Sequence, residues 1–253
     1  MRSTMPSAQT SIIDVFSQPY EYWLRRDPTR EELIAHMKEH GVFTFSVNEK
    51  LLRVVDSALM AAEHMAEVSV DNGLEVFIES ALENSPALAE LQSKMPPRML
   101  PGLSAYQSHY PTYDSQLVDQ EINRFGTVLA EGQFLFHGGH WPVGQEQFVT
   151  DRPLSTTFNP QVALRNAEWE AKAFDAGWLD LIVLRVTAPQ SKAYLYPPQG
   201  DWKHEKEIVF AKGARLRLLS HKKIADKTVY KGGTHYQTIS KTVPVYVLEA
   251  EIS

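Results

Sequence analysis

The chain has 253 residues, of which 43% are hydrophobic and 22% charged, with a net charge of −6 and no cysteine. That length allows a sizeable core, as one large domain or two small ones, and the composition is that of an ordinary soluble globular protein. It excludes a disulfide framework, a thiolate nucleophile and a cysteine-based zinc site, and no run of about 18 apolar residues is present to cross a membrane as a helix.

The first hundred residues read as helical. Thr29 is a plausible N-cap with Glu32 in capping-box position, and Gly41 is a suitable stop. Leu51 to Val68 is rich in strong helix formers at helical spacing. Two shorter helices are expected over Leu74 to Leu82 and Ala87 to Lys94. The proline-dense stretch Met95 to Gly102 then breaks the pattern, and a boundary is expected there, between a helical region 1–102 and a second domain 103–253.

Asp114 to Leu129 again has helical spacing. From Gln133 onward the chain turns to short β-like runs: Gln133–Phe136, Leu154–Phe158, Leu179–Val186, Lys192–Tyr196, Glu205–Ala211, Arg215–Leu219 and Val243–Glu251. One helix interrupts them, roughly Pro160 to Phe174, with Asn159 as its cap. Lys231 to Thr234 reads as a hairpin turn. Strands with mostly short links and few helices between them predict a mixed or antiparallel sheet, hence an α+β fold.

The most informative run is His204 to Phe210. Residues i and i+2 of a strand share a face, so Glu205 and Glu207 project side by side. Paired like charges disfavour each other's ionised form, and building a sheet requires no such pair. Exposed acids on an edge strand are the plain alternative. A second charge feature spans residues 203–231, where nine Lys/Arg against three acids give +6, leaving −12 on the remainder. It reads either as a solvated charged hairpin or as a basic surface that meets phosphates or an acidic partner.

Leu103–Tyr113, Phe134-Leu-Phe-His-Gly-Gly139, Ser155-Thr156-Thr157, Leu181–Pro189 and Glu205-Lys-Glu-Ile-Val-Phe-Ala-Lys-Gly213 occur in this order. Together they resemble the ADP-ribosyltransferase family of toxins and phage enzymes, with its Arg / Ser-Thr-Ser / Glu-x-Glu pattern, over roughly residues 103–253. The resemblance implies an ADP-ribosyltransferase-like mixed sheet, NAD as co-substrate and transfer of ADP-ribose to a macromolecular acceptor. That acceptor would be a protein side chain, such as arginine, or a nucleic acid such as RNA.

By family position, Glu207 favours the positive charge developing on the ribose as the nicotinamide bond breaks, and Glu205 positions or deprotonates the acceptor. Ser155 orients Glu207, while Thr157, with Thr156 and Phe158 beside it, lines the nicotinamide pocket. His137 stands where the family usually has arginine, although a diphtheria-toxin-like branch uses histidine there to bind the ribose. As alternatives, His137 is a core histidine, or the fold is a catalytically eroded binding module. Gly138 lets backbone approach the dinucleotide or simply makes a turn.

Arg165 and Arg152 are candidates for the NAD phosphates, or surface residues. Tyr196 and Trp202, in the loop before the carboxylate strand, stack on a target or pack in the core. No metal is expected: a zinc site from His137, His140, His204, His221 or His235 lacks suitable spacing. P-loop, dinucleotide-fold and nucleophile-elbow motifs are absent. The resemblance also implies a toxin or effector with a neutralising antitoxin or immunity protein as partner. With no apolar leader in the first ten residues, the expected setting is cytoplasmic, in its own cell or in a host's, without a membrane partner.

Overall fold

The computed structural model describes residues 10–197, 206–233 and 237–253. Its class is α+β, as expected. The N-terminal part holds a two-stranded antiparallel sheet of β1 (Tyr20–Arg26) and β2 (Val47–Val55), joined through α1 (Arg30–His40). Thr29 and Glu32 form the expected capping box, and Gly41 ends the helix at φ 73°. The expected helix from Leu51 to Val68 is divided. Leu51–Val55 pairs with β1, and Ser57 caps a helix that begins only at α2 (Ala58–Val68). The β-branched Val54 and Val55 favour the strand, and Ser57 accepts from Met60 N and so fixes the start.

Next come α3 (Asn72–Glu83) and α4 (Pro86–Ser93), close to their expected bounds, then α5 (Pro101–Ser108) and α6 (Ser115–Phe125). α6 stops earlier than its apolar spacing suggests, because β3 (Thr127–Val128) joins the main sheet. The remaining strands are β4 (Phe134–Gly139), β5 (Gln147–Val149), β6 (Leu154–Thr157), β7 (Leu179–Val186), β8 (Lys192–Leu195), β9 (Glu207–Phe210), β10 (Arg215–Gly232) and β11 (Thr238–Ile252). Among the described residues they form one nine-stranded sheet in the order β3-β8-β9-β6-β4-β7-β11-β10-β5, in which β11 and β7 are parallel and every other pair antiparallel.

The helix expected from Pro160 to Phe174 is α7 (Pro160–Glu168), a 3-10 turn over Trp169–Ala171, and α8 (Lys172–Ala176). Glu170 (φ 54°) and Ala171 (φ 60°) both take left-handed backbone, a conformation costly for residues other than glycine, and break it.

Apolar residues from both sides of residue 102 share one buried cluster, with Met65, Ile78 and Leu91 alongside Leu135, Phe158 and Leu248. The buried Gln133 amide also bonds Ile13 N (2.8 Å) and Ile13 O (2.9 Å), tying the N-terminal segment to the strand region. Among the described residues, no helix is long and apolar enough to cross a membrane.

Candidate functional site

β6 lies between β9 and β4, and its two seams differ. Along β9 it is paired throughout, with Ser155 opposite Val209 and Thr157 opposite Glu207. Against β4 it makes a single pair, Phe136 with Thr157. β4 continues with β7 through His137, Gly138 and Gly139, so the two strands part beyond that pair. Residues 137, 155 and 207 gather at this parting.

Ser155 Oγ donates to Glu207 Oε1. The Ser155 carbonyl accepts from His137 Nδ1 at 2.7 Å. Two hydrogen bonds, both centred on Ser155, therefore join all three residues. Glu207 is 8% exposed, and a buried carboxylate requires such hydrogen bonding to remain charged. Lys206, immediately before it, has φ 43°, a backbone that costs a lysine about 1–3 kcal/mol and is typical of places where a side chain is aimed for use.

Burial pushes the His137 imidazole down to about 4, with the positive charges of Lys172 and Arg152 adding to the effect, although the bond to Ser155 opposes it. At neutral pH the ring is uncharged. Its Nδ1 proton goes to the carbonyl, which leaves Nε2 as an acceptor. Gly139 keeps that nitrogen open, since a Cβ at 139 would lie 2.7 Å from Nε2. Gly138 has a different task. A Cβ there would fall 1.7 Å from the Ala163 carbonyl, so this glycine lets α7 pack directly on β4.

An aromatic and cationic wall stands close by. Tyr106 meets Tyr113 edge-on at 4.8 Å, and Tyr110 stacks on Tyr113 at 6.0 Å. Burial, then the Glu207 charge, push the Tyr106 phenol up, and the same two causes act on Tyr196. Arg152 is near enough to act electrostatically on Tyr106, Tyr113, His137 and Lys172. Lys172, delivered by the left-handed kink, lies over the Tyr110 ring at 5.5 Å. Burial lowers its pKa, as does Arg152, against the opposing charge of Glu170. These groups thus bring together one hydrogen-bonded carboxylate, a neutral imidazole, phenol rings and two cations. That set suits a ligand combining an anionic part with a polar ring.

Other sequence candidates have other surroundings. Thr156 Oγ1 donates to Ile208 O at 2.8 Å and locks β6 to β9. Thr157 Oγ1 accepts from Asn159 N at 3.1 Å. Phe158 is 1% exposed and belongs to the core. Arg165 is held by Glu75 of α3, at 2.8 and 3.0 Å, so of the two arginines Arg152 is the one beside the site. Tyr196 is buried, and its hydroxyl donates to Leu103 O at 2.9 Å. It anchors the chain to α5 and presents no exposed ring. Trp202 and Glu205 lie outside the described residues, as do His204 and His235. Among the described residues, no group of three or more His, Asp or Glu is placed to hold a metal ion.

Tyr110 and Lys172 were not singled out as site residues from the sequence. The spacing of Tyr106, Tyr110 and Tyr113 looks like one face of a helix, and Lys172 reaches the site only through the kink.

The basic stretch meets acids of its own chain. Lys222 pairs with Glu63, Lys227 with Glu168, Lys231 with Asp175 and Arg217 with Glu251. The surplus of positive charge between 203 and 231 and the acidic remainder are therefore partly matched to one another within the molecule.

No protein-family model and no curated protein matches the chain. Solved structures similar to it include the enzymatic component C2-I of the C2-toxin from Clostridium botulinum, at 9% identity and a TM-score of 0.35 over 64% of this chain. The chain spans 45% of the length of that structure. The Vis toxin, an ADP-ribosyltransferase from Vibrio splendidus, is similar at 11% identity and a TM-score of 0.33, over 95% of this chain and 90% of that one. Exoenzyme S from Pseudomonas aeruginosa, in complex with human 14-3-3 protein beta and bound to Carba-NAD, is similar at 15% identity and a TM-score of 0.31, over 76% and 72%.

Proposed function

We propose that this chain is a mono-ADP-ribosyltransferase that takes NAD as co-substrate and transfers ADP-ribose to a macromolecule. One observation carries the reading: the Glu207 carboxylate is held by Ser155, which is itself held by His137, at the point where β4 and β6 part. In the reaction the bond between ribose and nicotinamide breaks, its electron pair leaves with nicotinamide, and positive charge builds on the ribose. Glu207, fixed before the charge appears, interacts more strongly with that state than with bound NAD, as rate acceleration requires.

Ser155 keeps the carboxylate aimed, and His137 Nε2 accepts a hydrogen bond from a ribose hydroxyl. The permanent cation of the family pattern is missing at 137, and Arg152 and Lys172 supply positive charge for the diphosphate instead. Tyr106, Tyr110 and Tyr113 wall the pocket. Glu205 takes the proton released when the acceptor nucleophile attacks the ribose carbon.

Lys222, Lys227 and Lys231 each face an acid of the chain itself, which leaves less unpaired positive charge to displace the counterions of a nucleic acid and supports a protein acceptor. Incubation with labelled NAD and a cell lysate tests both points. Label removed by protease and retained after RNase is expected. Label removed by RNase would reverse the acceptor assignment, and no label or NAD consumption would leave a binding module that kept the shape and lost the activity.

A further inference from the structure

The corner between α2 and α3 is linked to the strand opposite Glu207 by a run of buried hydrogen bonds. Asp71, 8% exposed, caps α3 through Gly73 N (2.9 Å) and Leu74 N (3.2 Å). Its carboxylate also accepts from the Tyr20 hydroxyl (3.0 Å) and meets His64 Nε2 at 2.8 Å. Burial opposes the charge, yet the bonds from His64, Leu74 and Tyr20 outweigh it and hold the carboxyl below its ordinary pKa.

Asp71 N then donates to Gln161 Oε1 at 2.6 Å, and Gln161 Nε2 donates to Glu75 Oε2 at 2.7 Å. Gln161 is 1% exposed, so both ends of its amide are committed in the interior. Gln161 N donates to Asn159 Oδ1 (2.9 Å), Asn159 N donates to Thr157 Oγ1 (3.1 Å), and Thr157 lies opposite Glu207.

We propose that Gln161 is a positioning residue for Glu207, and that the N-terminal region braces the site through it. The first turn of α7 cannot shift without breaking buried bonds to Asp71 and Glu75, and each such break leaves polar atoms unsatisfied. α7 packs on Gly138 with no room for a methyl group, so a displaced first turn would carry the parting of β4 and β6 with it. This role for Gln161 rests on the reading of Glu207 as the working carboxylate.

The test uses full-length protein. Gln161→Glu keeps the shape and the acceptor for Asp71 N but sets a carboxylate against Glu75, while adding Glu75→Gln restores a donor and an acceptor between the two positions. Gln161→Glu should lower kcat for NAD cleavage about tenfold with KM within about twofold, because small misplacements act on turnover. The double variant should recover most of it. A contact that is structural only would lower the thermal midpoint and leave kcat unchanged in every variant folded at the assay temperature, which would overturn the proposal.

Gln161→Met keeps the size and removes both amide bonds, to Asp71 N and to Glu75, and the proposal expects amide exchange over 155–159 and 207–210 to quicken while that of Leu248 and Ala250 does not. Unchanged exchange at those site strands would also overturn it, even if Gln161→Glu does not fold. Exchange is read without turnover, so a protein that cleaves no NAD still decides the coupling and separates its failure from that of the function.

Discussion

Glu207 and Lys222 are both charged strand residues, yet the sheet treats them differently. Glu207 is 8% exposed, bonded by Ser155 and followed by the buried Ile208, Val209 and Phe210. The Lys222 side chain is 68% exposed and meets Glu63 at 2.8 Å in contact with solvent. A charge taken out of water must be held by hydrogen bonds or neutralised, so its position in the protein becomes fixed. A charge left in water is screened, and its partner contributes little. The difference teaches which charged run is available for chemistry: the two-carboxylate stretch with one member buried, ahead of the basic stretch with many members exposed.

The strongest way to break this comparison is Glu207→Gln. The amide keeps the size and loses the charge, so NAD cleavage should fall by at least about a thousandfold, with the circular dichroism spectrum unchanged. Ser155→Ala keeps the carboxyl group but aims it less firmly. A charge-assisted hydrogen bond of about 1.5–3 kcal/mol predicts a loss of about ten- to a hundredfold in turnover. Equal activity in Ser155→Ala would mean that the hydroxyl does not direct Glu207.

His137 sharpens the comparison through pH. Its folded pKa of about 4 lies below the ordinary 6.5, so the unfolded chain takes up a proton first as pH falls. Its contribution to stability is present in full above pH 6.5 and is lost between about pH 6.5 and 4, amounting to about 3 kcal/mol. Urea midpoints measured across that window should fall with pH in the wild type and more shallowly in His137→Gln. Parallel profiles would contradict a neutral imidazole at 137. The smallest effect belongs to the exposed pair: Lys222→Ala should change unfolding free energy by no more than about 0.5 kcal/mol.

Alternation and caps made much of this fold legible. β7 occupies Leu179–Val186 as expected, and the Thr29–Glu32 box and the Asn159 cap are present. The division of Leu51–Val68 was not legible, because good helix formers cover both halves and only the pairing of β2 with β1 decides. Nor was the full length of β10, whose polar second half is held by β11 and by ion pairs to distant acids.

At the site, the sequence pointed to Ser155 and Glu207 through the Glu-x-Glu spacing and the order of the motifs, and the structure brings these two side chains into hydrogen-bond contact. Arg152 and Arg165 were indistinguishable in sequence, and the structure separates them by the Glu75 partner of Arg165 and by the reach of Arg152 to His137 and Lys172. Lys172 was hidden by the kink at Glu170 and Ala171, where two residues without any glycine advantage take left-handed backbone.

The most direct test of the account is release of free nicotinamide from NAD by purified wild-type protein and by Glu207→Gln, both shown to be folded. The account predicts steady release by the wild type and release at or near the uncatalysed level by the variant. Equal rates from the two proteins, or no release from the wild type, would contradict it.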